Sequence, residues 1–163
     1  MRALALVLTL FLVDQGTKIW AAATLPGRAP SPLLPGLFDL LYVENPGMAW
    51  GLLSNATLPL AVLRGSVGLA LLALVFRDMA GWPRQLSLSL IAAGALGNAL
   101  DGFRLGFVVD LLSSPALSKV TRLLGAGDFP VFNLADVWVV LGTLLLSGTE
   151  FRKRPHPTTS PSA

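Results

Sequence analysis

The chain contains no cysteine, which removes disulfides, thiolate nucleophiles and most structural zinc sites together. It has a single histidine, His156, in the polar stretch KRPHPTTSPSA. A Ser-His-Asp triad, a His-rich metal site and a histidine proton relay inside the protein are therefore excluded. Charge is scarce as well: Asp, Glu, Lys and Arg make up 13% of residues, about half the share of a soluble domain. The chemistry left to the chain must use carboxylates, hydroxyls, amides, Lys or Arg. Neither a metal nor a cofactor is expected.

What is abundant is apolar. The hydrophobic share is 53% and the mean hydropathy is +0.68, the composition of a protein dissolved in lipid. A membrane-spanning helix takes about 20 residues, so 163 residues hold four spans and their connections, with no room for a separate soluble domain. The expected architecture is an all-α membrane protein of four transmembrane helices, with a small β-rich extracytoplasmic segment and a short surface helix. The spans are placed at residues 3–25, 58–76, 86–105 and 133–151. Residues 1–151 form the helical domain and 152–163 a disordered tail, rich in Pro, Ser and Thr.

The opening MRALALVLTLFLV resembles a cleaved secretory signal, but Asp14-Gln15-Gly16-Thr17-Lys18 interrupts the apolar run before any cleavage site. It reads as a retained first helix. Proline and glycine in PGRAPSPLLPG and NPGMAWG exclude a span between the first two helices, and a strand or hairpin at the membrane surface is predicted there. LSSPALSKVTRLLGAGD carries the surface helix.

Arg2, Arg77, Arg84, Arg152, Lys153 and Arg154 flank one side of the spans; Arg28, Lys119 and Arg122 flank the other. That bias places both termini in the cytoplasm and the long loops outside. The net charge of +3 is spread beside spans rather than gathered in a patch, which speaks against nucleic acid. No internal repeat of 20–50 residues is present, and no oligomeric state is specified, although a monomer suffices.

Ionisable groups at membrane depth are costly and mark function by default. Asp14, Lys18, Arg64, Asp101, Arg104, Asp110 and Asp136 fall towards the outer side. Asp14 and Lys18, four apart, share a helix face and read first as an ion pair anchoring the first helix. Asn98 and Asp101 share a face of the third span, and Asn133 and Asp136 share one at the start of the fourth, where the helix N-terminus favours negative charge. Asp110 lies just past the third span. Two carboxylates held close share a proton, activate water and protonate a leaving amine. The alternative is that these groups only join helices by hydrogen bonds. Spacing alone leaves both readings open.

The ordered motifs DQGTK, NPGMAWGLL, GNALDGFRLGFVVD and FPVFNLAD resemble those of lipoprotein signal peptidase, or signal peptidase II. The resemblance covers nearly the whole chain up to the tail. It implies a four-helix intramembrane aspartic endopeptidase of the bacterial inner membrane. Such an enzyme cleaves diacylglyceryl-modified prolipoproteins on the amino side of the lipidated cysteine. It further implies that Asp110 and Asp136 are the catalytic pair. Asp14, Lys18, Asn98, Asp101 and Asn133 become supporting polar residues, and Asn45, Gly47 and Ala49 border the substrate site. Gly102 stands where the family usually has Arg, and Arg104 is the candidate substitute. The stretch between Asp110 and Phe129 is long for the family. Trp50, Phe107, Phe129 and Phe132 are candidates for an apolar wall. Outside the resemblance, intramembrane Asp, Lys and Arg would also suit a small ion- or solute-coupled transporter, although repeat symmetry is missing.

Overall fold

The computed structural model describes residues 1–48, 50, 52–53, 56–77 and 81–153. In chain order these form α1 (Arg2–Thr24), β1 (Ser31–Leu34), β2 (Phe38–Asn45), α2 (Thr57–Arg77), α3 (Trp82–Leu105), β3 (Val108–Ser113), α4 (Pro115–Leu123) and α5 (Leu134–Lys153). Three of the helices, α1, α2 and α3, are long and apolar enough to cross a membrane. The apolar part of α5, Leu134–Thr149, is shorter.

α3 is the central post. Its window is 72% buried against 28% for α1 and for α2, because the other three long helices all pack on it. Small residues make that possible. Apolar side chains gain nothing by leaving lipid, so helices in a bilayer associate through close backbone approach. A Cβ added at Gly102 would meet the Ala61 Cβ of α2 at 2.8 Å, and one at Gly68 would meet Leu96 at 2.7 Å. At Gly94 it would run into the backbone carbonyl of Ala135, and at Gly142 it would lie 2.7 Å from the carbonyl oxygen of Ser87. The α3 helix begins at Trp82, four residues before the expected start, because Pro83 fits the first turn, where an amide hydrogen is not needed. It stops at Gly106, whose left-handed φ of 77° suits only glycine without strain.

The three strands form one antiparallel sheet in the order β1-β2-β3. The β1–β2 hairpin agrees with the sequence reading. The third strand is an addition to that reading: Asp110, just past α3 as expected, sits in β3. Val108, Val109, Asp110 and Leu111 are all buried, so the segment lacks the alternation that marks a half-exposed strand. Ala21, Leu25, Val109 and Leu111 form a core cluster that pins the sheet to the end of α1. An isolated bridge between Leu112 and Phe132 ties the sheet to the start of α5.

Candidate active site

Two aspartates from different elements line one cavity of about 490 Å³, which α2 and α5 flank on either side of α3. Asp110 comes from β3 and Asp136 from the first turn of α5. Each is aimed by local structure that the sequence encodes.

Asn133 is the N-cap of α5. Its Oδ1 accepts from the Asp136 amide at 3.0 Å, while Asp136 Oδ2 accepts from the Asn133 amide at 3.2 Å. This reciprocal capping box satisfies two orphan amides and fixes the Asp136 rotamer. Asn98 Nδ2, from α3, donates to the other oxygen, Asp136 Oδ1, at 2.8 Å. Asp110, only 2% exposed, is held from both sides. Asn133 Nδ2 donates to its Oδ1 at 2.7 Å and Asn45 Nδ2 to its Oδ2 at 2.9 Å. Asn45 is itself oriented by accepting from the Gly47 amide at 3.0 Å, an Asx-turn made by the NPG motif. Its strand register, with Asn45 opposite Val108 and Val43 opposite Asp110, brings the amide within reach.

Behind the pair lies a buried charge cluster. Lys18 Nζ donates to Asp14 Oδ2 and Asp101 Oδ2, both at 3.0 Å, and to Asn98 Oδ1 at 2.7 Å, which uses all three of its hydrogens. Asp14 Oδ1 accepts from the Ala135 amide at 2.9 Å, and Asp101 Oδ2 accepts from the Val109 amide at 3.2 Å. The residue preceding each cavity aspartate is thus held by one carboxylate of the same cluster. Gln15 bridges these carboxylates, with Nε2 3.2 Å from an oxygen of each. Gln15 was not among the expected site residues; its signal was a second polar side chain beside Asp14 in an apolar helix.

The cluster settles the question raised by Gly102. Lys18 supplies the counter-charge of Asp101, and Gly102 is packed under Ala61, where a side chain has no space. The expected substitute, Arg104, is exposed in the last turn of α3 and lies outside the cluster, a second correction. Arg64 of α2 does reach the cavity, where its Nη2 donates to the Gly47 carbonyl at 3.0 Å. Gly47 is buried beside the site; Ala49 lies outside the described residues.

Trp50, Phe129 and Phe132 form part of the cavity wall, stacked edge to face with centroids 6.1 and 5.9 Å apart. Phe107 does not join them. It packs on the Ala21 and Val109 cluster instead.

Burial pushes the Asp110 carboxyl up to about 7, and the neighbouring charge of Asp136 adds to the rise; the hydrogen bonds from Asn45 and Asn133 oppose it. One carboxyl therefore keeps a proton near neutrality beside a second that faces the same cavity. That arrangement supports general acid and general base chemistry on a bound carbonyl without metal or histidine.

The model of signal peptidase (SPase) II matches residues 6–152. The chain belongs to the signal peptidase II family. It is 44% identical over 142 residues to the lipoprotein signal peptidase of Deinococcus radiodurans, covering 86% of this chain and 74% of that one. With the lipoprotein signal peptidase of Nostoc punctiforme it shares 39% identity over 149 residues, covering 91% and 88%. A solved structure of a bacterial membrane enzyme superposes with a TM-score of 0.81 at 25% identity, covering 99% of this chain and 94% of the other. These relatives are peptidases, and they lend nothing to a transporter. Like the family at large, this signal peptidase II is a membrane-type helical protease.

Proposed function

We propose that this signal peptidase II removes signal peptides from diacylglyceryl-modified prolipoproteins by hydrolysing the bond on the amino side of the lipidated cysteine, with Asp110 and Asp136 as a proton-sharing pair. The observation that carries the assignment is the shared cavity: both carboxyls line it, each has its oxygens fixed by Asn amides or backbone, and Asp110 retains its proton to about 7.

In the proposed reaction Asp136, at the N-terminus of α5, takes a proton from water as the water oxygen adds to the carbonyl carbon. Asp110 gives its proton to the carbonyl oxygen, leaving a neutral diol. When the diol collapses, one hydroxyl proton returns to Asp110 and the proton on Asp136 passes to the leaving nitrogen. The C–N bond breaks, freeing a carboxyl on the signal peptide and an amine on the cysteine. Both aspartates end as they began.

In the membrane, α5 is the fourth span and α4 lies at the outer surface. The basic residues near span ends put both termini in the cytoplasm and the pair near the extracytoplasmic face of the inner membrane. Residues 1–151 are one peptidase unit followed by a tail at 152–163. The side chains Asn45, Asn98 and Asn133 orient the pair, while Asp14, Lys18 and Asp101 hold its backbone.

The test is cleavage of a diacylglyceryl precursor by the purified protein. Asp110→Asn and Asp136→Asn should each lower the rate by about a thousandfold or more, with melting temperature preserved. Cleavage by either variant near the unaltered rate overturns the assignment.

A further inference from the structure

Asn45 steadies Asp110 only while its side-chain amide keeps the nitrogen towards the carboxyl. Turned by half a circle about its last bond, the same side chain would set an oxygen against it. The Gly47 amide, which donates to Asn45 Oδ1, disfavours that turned state and leaves Nδ2 for Asp110. Gly47 has no side chain to restrict its backbone, so its amide must be held in line from elsewhere.

Two residues of α2 hold it. Thr57 Oγ1 donates to the Pro46 carbonyl, and Arg64 Nη2 donates to the Gly47 carbonyl at 3.0 Å. The Pro46 carbonyl and the Gly47 N–H belong to one planar peptide unit and point in opposite directions. Pinning the carbonyl therefore aims the amide. Arg64 pins the next peptide unit, so both planes that meet at Gly47 are fixed from a single helix. Thr57 and Arg64 stand about two turns apart on one face of α2. Between them Ala61 seats the helix on α3, where Gly102 leaves room for its methyl. Arg64 is half-buried and lines the aspartate cavity.

We propose that Thr57 and Arg64 are positioning residues for the reaction: by clamping the turn at Gly47 they keep the Asn45 amide aimed at Asp110. The proposal deepens the peptidase reading above and rests on it. Among the charges around Asp110, Asp136 of α5 raises its pKa and Lys18 of α1 lowers it. Asp101 of α3 holds the amide of the preceding residue, and Glu44 of β2, Asp128 and Arg64 line spaces that Asp110 also lines. Removing the Thr57 hydroxyl alters none of these charges, so its effect reaches Asp110 through the turn.

The test is the pH profile of kcat/KM on a diacylglyceryl precursor, read beside the pH dependence of melting, with the full-length protein in detergent. Thr57→Val keeps the shape and drops the hydroxyl; Arg64→Met keeps the length and drops the guanidinium. Each should move the alkaline limb up by about half a pH unit to one, part of what full loss of the Asn45 hydrogen bond gives. On an Asn45→Ala background neither should move it by more than about 0.2, because the amide they aim is gone. The pH at which melting stops falling should shift in step, a readout that needs no catalysis. A limb that stays fixed in Thr57→Val overturns the proposal. So does a shift that Arg64→Met repeats undiminished on the Asn45→Ala background, which marks the direct charge of Arg64, or a rise in KM alone, which marks a substrate contact. Absence of cleavage by the unaltered protein defeats the peptidase reading itself, while the melting shift still decides the clamp.

Discussion

Removing the amide that Asn45 directs at Asp110 should raise the pH at which the enzyme loses activity. The donor lies 2.9 Å from Oδ2 of a carboxyl that is 2% exposed, so solvent does little to screen it. Its hydrogen bond favours the ionised form and lowers the pKa. A hydrogen bond to a buried charge contributes about 1.5–3 kcal/mol, and one pKa unit corresponds to about 1.4 kcal/mol. Asn45→Ala should therefore raise the value by about one to two units. In the proposed reaction Asp110 donates a proton, so kcat/KM falls on the alkaline side as that proton is lost. The limb should move from about 7 to about 8–9. Because the two carboxyls are coupled, the limb reports the pair rather than one residue. The assay is the full pH profile of cleavage of a fluorescent diacylglyceryl precursor. The substitution also removes the acceptor for the Gly47 amide and loosens that turn. Loosening scales the whole profile down; only the electrostatic effect displaces the limb. A limb that stays fixed or moves to lower pH refutes the reasoning.

The same carboxyl predicts how stability varies with pH. Its folded value of about 7 lies above the ordinary 3.8, so the folded state binds more protons between these limits, and stability falls as pH rises through that window and flattens above it. Melting in detergent should be lower at about pH 8 than at about pH 5, and Asp110→Asn should abolish most of the difference. Lys18→Met leaves Asp14 and Asp101 buried without their cation and should cost about 3–5 kcal/mol, measured by chemical or thermal unfolding. Gly94→Ala drives a methyl into the Ala135 backbone and should cost about 1–3 kcal/mol, with a loss of activity from displaced Asp136, whereas Gly148→Ala, with open space around it, should cost nothing measurable.

Much of the site was legible because its signals are local. Asp14 and Lys18 carry the spacing of a helical ion pair, which forms as expected, while Asn133 and Asp136, read as sharing a face at a helix start, cap that helix reciprocally. The motif order pointed to the family, and the family model agrees. What the sequence hid is tertiary. That Lys18 of α1 reaches Asp101 of α3 depends on how closely two helices approach, set by Gly97 lying against Asp14. Arg104, nearer in sequence, stands exposed in the last turn of α3, beyond the buried cluster. Strand β3 was concealed because both of its faces are covered, which leaves an unbroken apolar run around one aspartate. Phe107 follows from the same cause: with the strand in place, it belongs to the core rather than to the cavity.

The hydrogen bond from the Ala135 amide to Asp14 joins residues 121 positions apart. Synthesis runs from the N-terminus, so the first helix is made with a carboxylate whose partner in α5 follows 121 positions later. Until α5 arrives, Asp14 lacks that partner, Asp136 does not yet exist in place, and Asp110 faces no second carboxyl. With Asp110 and Asp136 as the proposed pair, the centre is silent until α5 packs, at the step that completes the bundle. On that assignment, a nascent membrane peptidase of this design cannot attack the signal sequences passing beside it before α5 is in place.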